Sequence, residues 1–231
     1  MADLTDRRAD TTRQQILRAA AHQFAQRAYH DVGLDDILAE AELTKGAMYF
    51  HFRSKHALAL AVIEEQVAAA GAAAKALVDR NLSGLETLID IGYLMAVEDI
   101  TEDAARAVLH LLPLIGRAGG WQSGVLAEAI GALTLVVERG VTEGDILPRC
   151  EPHDVAQLLM SMYLGLRQSV DLNEPEEFLT QLGRNWEILL PGMVPEARVG
   201  YFSQFIRRRT ALAIRTVAQR APSASPGDQA V

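Results

Sequence analysis

From Thr11 onward, the apolar positions Ile16, Ala20 and Phe24 recur every four residues, and Leu17 and Ala21 widen the stripe. That spacing predicts an amphipathic helix of about four turns, with Thr11 or Thr12 able to cap it. Ala28-Tyr-His-Asp31 breaks the pattern. Leu34, Ile37, Leu38 and Ala41 then mark a short second helix over about 35–41, and Thr44 is placed to cap a third over about 45–50. Ser54 can cap a fourth, which meets no breaker before Gly71 and is expected to continue to about Val78. Helical spacing resumes over about 84–98, 102–115, 121–143, 153–170, 175–190 and 196–218. Gly119-Gly120, Gly144-Asp-Ile-Leu-Pro148 and Pro191-Gly192 punctuate these segments. Sustained period-two alternation is absent, so the predicted fold class is all-α. Residues 219–231, rich in Ala, Ser and Pro, are expected to be a disordered tail.

Composition changes this picture little and charge changes it more. Apolar residues at 49% and charged residues at 23% fit a globular chain, and the 231 residues suffice for a substantial core. No apolar run approaches the ~20 residues that span a bilayer, and no secretion signal opens the chain, so no membrane partner is expected. The single cysteine, Cys150, leaves no intramolecular disulfide and fits a reducing cytoplasm. The net charge of -8 argues at first against nucleic acid, which needs Lys and Arg. Residues 1–56, however, hold equal numbers of basic and acidic side chains, so the acidity lies wholly in the rest. That asymmetry suggests a head and a body with different tasks.

Two short capped helices joined by a tight turn, followed by the aromatic run Tyr49-Phe-His-Phe52, have the form of a helix-turn-helix. Its second helix must enter a major groove about 12 Å wide, leading with its N-terminal residues. Gly46 and Ala47 are small enough for close approach, Lys45 can reach a guanine edge or a phosphate, and Ala47 can touch a thymine methyl. The helix N-terminus with the Thr44 hydroxyl favours phosphate. Tyr49, His51 and Lys55 can donate to the DNA backbone, whereas Phe50 and Phe52 are expected to lock the element onto the first helix.

Leu43-Thr-Lys-Gly-Ala-Met-Tyr-Phe-His-Phe-Arg-Ser-Lys55 closely resembles the signature of the TetR family of bacterial repressors. The resemblance implies a homodimer, a three-helix DNA-binding head (residues 1–56) and a helical ligand-binding and dimerisation body (residues 57–218). It places Thr44, Lys45, Gly46, Ala47, Tyr49, His51 and Lys55 at double-stranded operator DNA. Four positions depart from the family pattern. Glu42 stands in the turn where glycine is usual, Gly33 where Ser or Thr caps the second helix, Ala57 where an acid would complete a box with Ser54, and Ala28 where glycine is general. A positive φ at Glu42 would carry strain.

Phe50-His-Phe52, Leu58-Ala-Leu-Ala-Val-Ile-Glu-Glu-Gln66, Trp121 after a glycine pair, and Trp186-Glu-Ile-Leu-Leu-Pro-Gly-Met-Val-Pro195 narrow the resemblance to the γ-butyrolactone receptors of actinobacteria. That subgroup carries a tryptophan over the signal molecule, and Trp121 matches it. An uncharged lipophilic ligand needs apolar walls and few polar anchors. Leu109, Leu111, Leu112, Leu114, Ile115, Leu126, Ile130, Leu133, Leu158, Met160, Met162 and Tyr163 are candidate walls, and Gln122, Thr134 and Ser161 are candidate anchors. Val155, Leu158, Leu159, Met162 and Leu166 form a stripe suited to a dimer seam on the helices at about 153–170 and 175–190. Two recognition helices must stand about 34 Å apart to reach successive grooves, and a ligand that tilts the fourth helix would disturb that spacing.

The expected function is a repressor released from a palindromic operator by a γ-butyrolactone-like signal. The alternatives are a regulator sensing another lipophilic compound such as an antibiotic, or one without ligand response. No phosphate loop, catalytic triad or metal constellation supports an enzyme, so no cofactor is expected. The spacing of Cys150 and His153 lacks further ligands nearby, and Arg207-Arg-Arg209 reads as a solvated or salt-bridged face.

Overall fold

The computed structural model describes the backbone of residues 2–115 and 121–220 and the side chains of 9–115 and 123–220. Among these, ten helices and one 3-10 turn form and no strand does: α1 Ala2–Gln26, the turn Tyr29–Asp31, α2 Leu34–Ala41, α3 Lys45–His51, α4 Lys55–Val78, α5 Gly84–Thr101, α6 Asp103–Ile115, α7 Trp121–Thr142, α8 Pro152–Ser169, α9 Pro175–Met193 and α10 Glu196–Arg220. The all-α expectation holds. Three boundaries move, α5 running on to Thr101 past its expected end at about 98. The first helix begins well ahead of Thr11, and α9 continues through Pro191-Gly192. Pro191 lies in the last turn of α9, and the helix closes two residues later, where the Val194 N–H donates to the Leu190 carbonyl at 2.9 Å. The expected tail lies outside the described residues from 221 on.

The chain divides into two compact units, residues 1–76 with 102–129, and 77–101 with 130–231. The division falls elsewhere than residue 56: most of α4 and all of α6 belong with the head. Ile16, Ala20 and Phe24 of α1, Ile37 of α2, Met48 of α3, and Leu58 and Ile63 of α4 are fully buried together, as the spacing predicts. Ala107, Leu111 and Ile115 of α6 complete this core. Two polar contacts tie α6 to α1: His22 Nδ1 lies 2.7 Å from Asp103 Oδ2, and His110 Nδ1 lies 3.0 Å from the Phe24 carbonyl. Helix α4 is long and apolar enough to cross a membrane by length and composition, with a mean hydropathy of 1.4. Its first two turns are instead spent on this core, through Leu58, Ala59, Val62 and Ile63.

In the second unit α10 packs against both α5 and α9. Gly84 of α5 meets Gly140 of α7 so closely that a Cβ on Gly84 would lie 2.4 Å from the Gly140 nitrogen, and only glycine fits there. Phe178, Leu182, Trp186, Phe202 and Ile206 fill the interior. The buried carboxylates are paired, as burial of charge demands: Asp90 with Arg209 at 2.5 Å, Asp99 with Arg167 at 3.0 Å and Asp145 with Arg198 at 2.5 Å. The apolar stripe of α8 is divided, with Met162 half-buried. Val155, Leu159 and Leu166 are buried within this one chain, while Leu158 remains 47% exposed.

Candidate functional site

Helix α2 starts at Gly33, whose N–H donates to Asp36 Oδ2 at 2.9 Å. With no side chain at Gly33, the reciprocal half of a capping box is missing. That N–H, and then Arg27, hold the Asp36 carboxyl below its usual range. The helix ends on Glu42, at φ 53° and ψ 39°. There the Glu42 N–H reaches the Ala39 carbonyl and the Leu43 N–H reaches Leu38, two bonds that close a helix with one left-handed residue. The expectation of a strained non-glycine turn is met. At Ala28 φ is −60° and ψ 145°, a conformation open to any residue, so the missing glycine costs nothing there.

Thr44 caps α3, its Oγ1 accepting from the Ala47 N–H at 3.3 Å. Met48 and Phe52, four apart, are buried and fasten α3 to the head core. The opposite face is open. Thr44, Lys45 and Gly46 are exposed, Ala47 and His51 are half-buried, and Tyr49 is 55% exposed. A Cβ on Gly46 would meet nothing closer than Thr44 Oγ1 at 3.9 Å, so packing within the protein does not require glycine at 46. Lys45 Nζ lies 2.8 Å from Asp35 Oδ1, and this contact raises the lysine's pKa.

Two aromatic and basic positions depart from expectation. Phe50 is 78% exposed rather than locked onto α1, and adds an apolar surface beside Tyr49. Phe52 does lock inward, with the Arg13 guanidinium 5.6 Å from its ring centre. Lys55 turns inward, its ammonium donating to the carbonyls of Tyr29 and Val32 at 2.8 and 2.9 Å and lying 4.4 Å from the Tyr29 ring centre. It pins the turn that precedes α2.

In the second unit a cavity of about 30 Å³ is lined by Leu88, Ile91, Gly92 and Met95 of α5, Leu133 of α7, Leu159, Met160, Met162 and Tyr163 of α8, and Leu182 and Trp186 of α9. Its polar groups are few. Burial pushes the Tyr163 phenol well up, so it stays protonated and donates to the buried Asp99 carboxylate at 2.5 Å. Trp186 is 2% exposed and its Nε1–H finds no hydrogen-bond partner among the described residues. A Cβ on Gly92 would stand 3.5 Å from that nitrogen. Of the predicted walls, Leu133, Met160, Met162 and Tyr163 line this cavity, while Leu111 and Ile115 belong to the head core and Leu114 is exposed. Thr134 spends its hydroxyl on the Ile130 carbonyl, and Ser161 is exposed and bonded to Gln157. Neither lines the cavity. The side chains of Trp121 and Gln122 lie outside the described residues.

A profile of bacterial regulatory proteins of the tetR family matches residues 16–62. A solved γ-butyrolactone receptor, described as an ArpA-like protein, is 30% identical, with a TM-score of 0.74 over 89% of this chain and 99% of that one. The chain belongs to the TetR family. The A-factor receptor protein of Streptomyces griseus is 28% identical over 210 residues, covering 85% of this chain and 72% of that protein. The TetR-family protein CprB of Streptomyces coelicolor, solved in complex with its biological operator sequence, is 30% identical, with a TM-score of 0.73 over 88% of this chain and 98% of that one. As a member of a family of regulatory proteins, the chain is a transcription regulator rather than an enzyme, and it closely resembles γ-butyrolactone receptors. The profile's span contains all seven residues assigned to DNA from the sequence. Sequence reasoning missed Phe50 as an exposed residue and Gly92 and Met95 as cavity residues. For Phe50 the signal was available: it lies two positions from both Met48 and Phe52, off the buried i, i+4 face.

Proposed function

We propose that this protein is a repressor that binds a palindromic operator as a homodimer and leaves it when a small lipophilic, γ-butyrolactone-like signal binds the body. The observation that carries the DNA side is the start of α3. Thr44, Lys45 and Gly46 stand open to solvent on a helix whose other face is anchored by Met48 and Phe52, and no internal contact explains Gly46. Backbone approach to a groove floor explains it. Tyr49 and His51 serve the flanking phosphates, Phe50 meets sugars or thymine methyls, and Lys55 acts from behind by fixing the turn before α2.

The lipophilic signal is supported by the cavity. Its lining is apolar, and the Trp186 N–H is a buried donor awaiting an acceptor, which a lactone carbonyl supplies. At about 30 Å³ it holds little more than water, so a drug-sized ligand has to displace side chains. Met95, Met160 and Met162 are the adaptable part of the wall. Ligand binding thereby selects a rearranged body. The chain passes between the units at residues 76–77, 101–102 and 129–130, and the first and last crossings lie within α4 and α7. A change in the body is thus carried to the head along continuous helices.

The test is binding of the full chain to duplex DNA from upstream of its own gene, followed by fluorescence anisotropy, with and without a γ-butyrolactone. Sequence-specific, salt-sensitive binding that Lys45→Ala weakens about tenfold to a hundredfold is the expected result. Specific binding that no γ-butyrolactone releases would leave the regulator standing and remove the signal class. Trp186→Phe, which keeps most of the bulk and deletes the N–H, is expected to weaken lactone binding about tenfold without affecting DNA.

A further inference from the structure

Lys45 begins the recognition helix with a cation that any phosphate would attract, yet it is not free. Its ammonium lies 2.8 Å from Asp35 Oδ1, in the first turn of α2. Both side chains are exposed, at 65% and 73%, so the pair is a surface contact formed on the face that meets DNA. It borders a cleft of about 260 Å³ between α2 and α3, lined also by Gly33, Leu34, Leu38, Met48 and Tyr49. The neighbouring carboxylate Asp36 is committed to the Gly33 N–H and to Arg27 at 3.0 Å. Asp35 therefore has Lys45 as its charged partner, and Lys45 has Asp35.

We propose that Asp35 is a specificity-determining residue, which keeps the Lys45 ammonium off the phosphate backbone and directs it to a base edge. This rests on the assignment of Lys45 to the DNA surface. On an arbitrary duplex, Lys45 reaching for a phosphate brings its partner Asp35, a carboxylate, against the DNA's own negative charge. An exposed ion pair is weak enough to open, so the obstacle is this repulsion rather than the loss of the pair. A matching base edge carries no formal charge, so this repulsion is smaller there. A lysine ammonium has three donors and can serve Asp35 and a guanine O6 or N7 together. Asp35 thus suppresses non-specific binding while sparing the operator.

The experiment first enriches a preferred duplex from a random-sequence library with the full-length protein. Dissociation constants are then measured for that duplex and a scrambled one, using the wild type, Asp35→Asn, Lys45→Ala and the double variant. One phosphate contact is worth about fivefold near 0.15 M salt, so Asp35→Asn should tighten binding to the scrambled duplex by about that factor per protomer. It should tighten the enriched duplex less, so the ratio between them falls. In the Lys45→Ala background, Asp35→Asn should shift both duplexes equally, because the residue it acts through is gone. Unchanged helical circular dichroism and melting temperature for Asp35→Asn check the fold. Equal tightening of both duplexes with Lys45 present, or no change in either, would overturn the role while leaving the regulator intact. A wild type that enriches no sequence would overturn both.

Discussion

Glu42 holds a left-handed backbone that L side chains adopt at a cost, and it places a carboxylate in the turn ahead of the recognition helix. Glu42→Gly is expected to stabilise the protein by about 0.5–1 kcal/mol, the relief of strain exceeding the added freedom of the unfolded chain, and to tighten DNA binding. Chemical denaturation and anisotropy check the two halves separately. Gly46 is expected to behave in the opposite sense. Its Cβ site is open, so Gly46→Ala should stabilise α3 by about 0.5–1 kcal/mol while weakening DNA binding at least tenfold. A Gly46→Ala protein that melts higher and binds DNA as well as the wild type would remove the close-approach argument. Both residues could be singled out from the sequence, one as a non-glycine in a turn and one as a small residue at a helix start. Asp35 could not, because adjacency to Asp36 says nothing about a partner ten residues on.

At the scale of elements, the periodicity placed the helices well, since helices such as α1 bury one face at 3.6-residue spacing and Thr44 caps as a threonine should. What it could not supply was which helices share a core. Leu111 and Ile115 read equally well as walls of a ligand cavity; in the fold they close the head against α1. The stripe of α8 read as a dimer seam, Val155, Leu158, Leu159, Met162 and Leu166, is divided: Val155, Leu159 and Leu166 are buried in their own chain, Met162 is half-buried and Leu158 stays exposed. An amphipathic face announces burial and not its partner. The α1–α6 contact carries a pH dependence. The hydrogen bond that His22 donates to Asp103, opposed by burial and aided by Glu40, raises the pKa of His22 above 6.5. The folded protein therefore binds a proton more tightly at His22 than the unfolded chain does. The resulting stabilisation is full below about pH 6.5 and is lost as pH rises through the higher folded value. Melting temperatures of the wild type at pH 6 and pH 8 should differ more than those of His22→Gln, with the histidine protein favoured at the lower pH. Equal slopes would sink the claim.

Over the whole molecule, charge and cavity are unevenly distributed along the chain. Residues 1–56 carry no net charge, whereas the remainder carries the full -8, a distribution that on the proposed reading favours DNA contact through the head. That charge asymmetry was legible in the sequence, and so were the candidate DNA residues, which lie within one short segment. The cavity was not legible in the same way. Its walls come from α5, α7, α8 and α9, and Gly92 and Trp186 meet across 94 positions of chain. On the proposed function DNA and a lipophilic signal compete through one protein, and linkage makes that competition reciprocal. The most direct test is calorimetric titration of a γ-butyrolactone into the full-length protein, free and saturated with its operator duplex. The expected result is weaker lactone binding in the presence of DNA, by the same factor that lactone weakens operator binding. Equal lactone affinity with and without DNA would contradict a signal-released repressor.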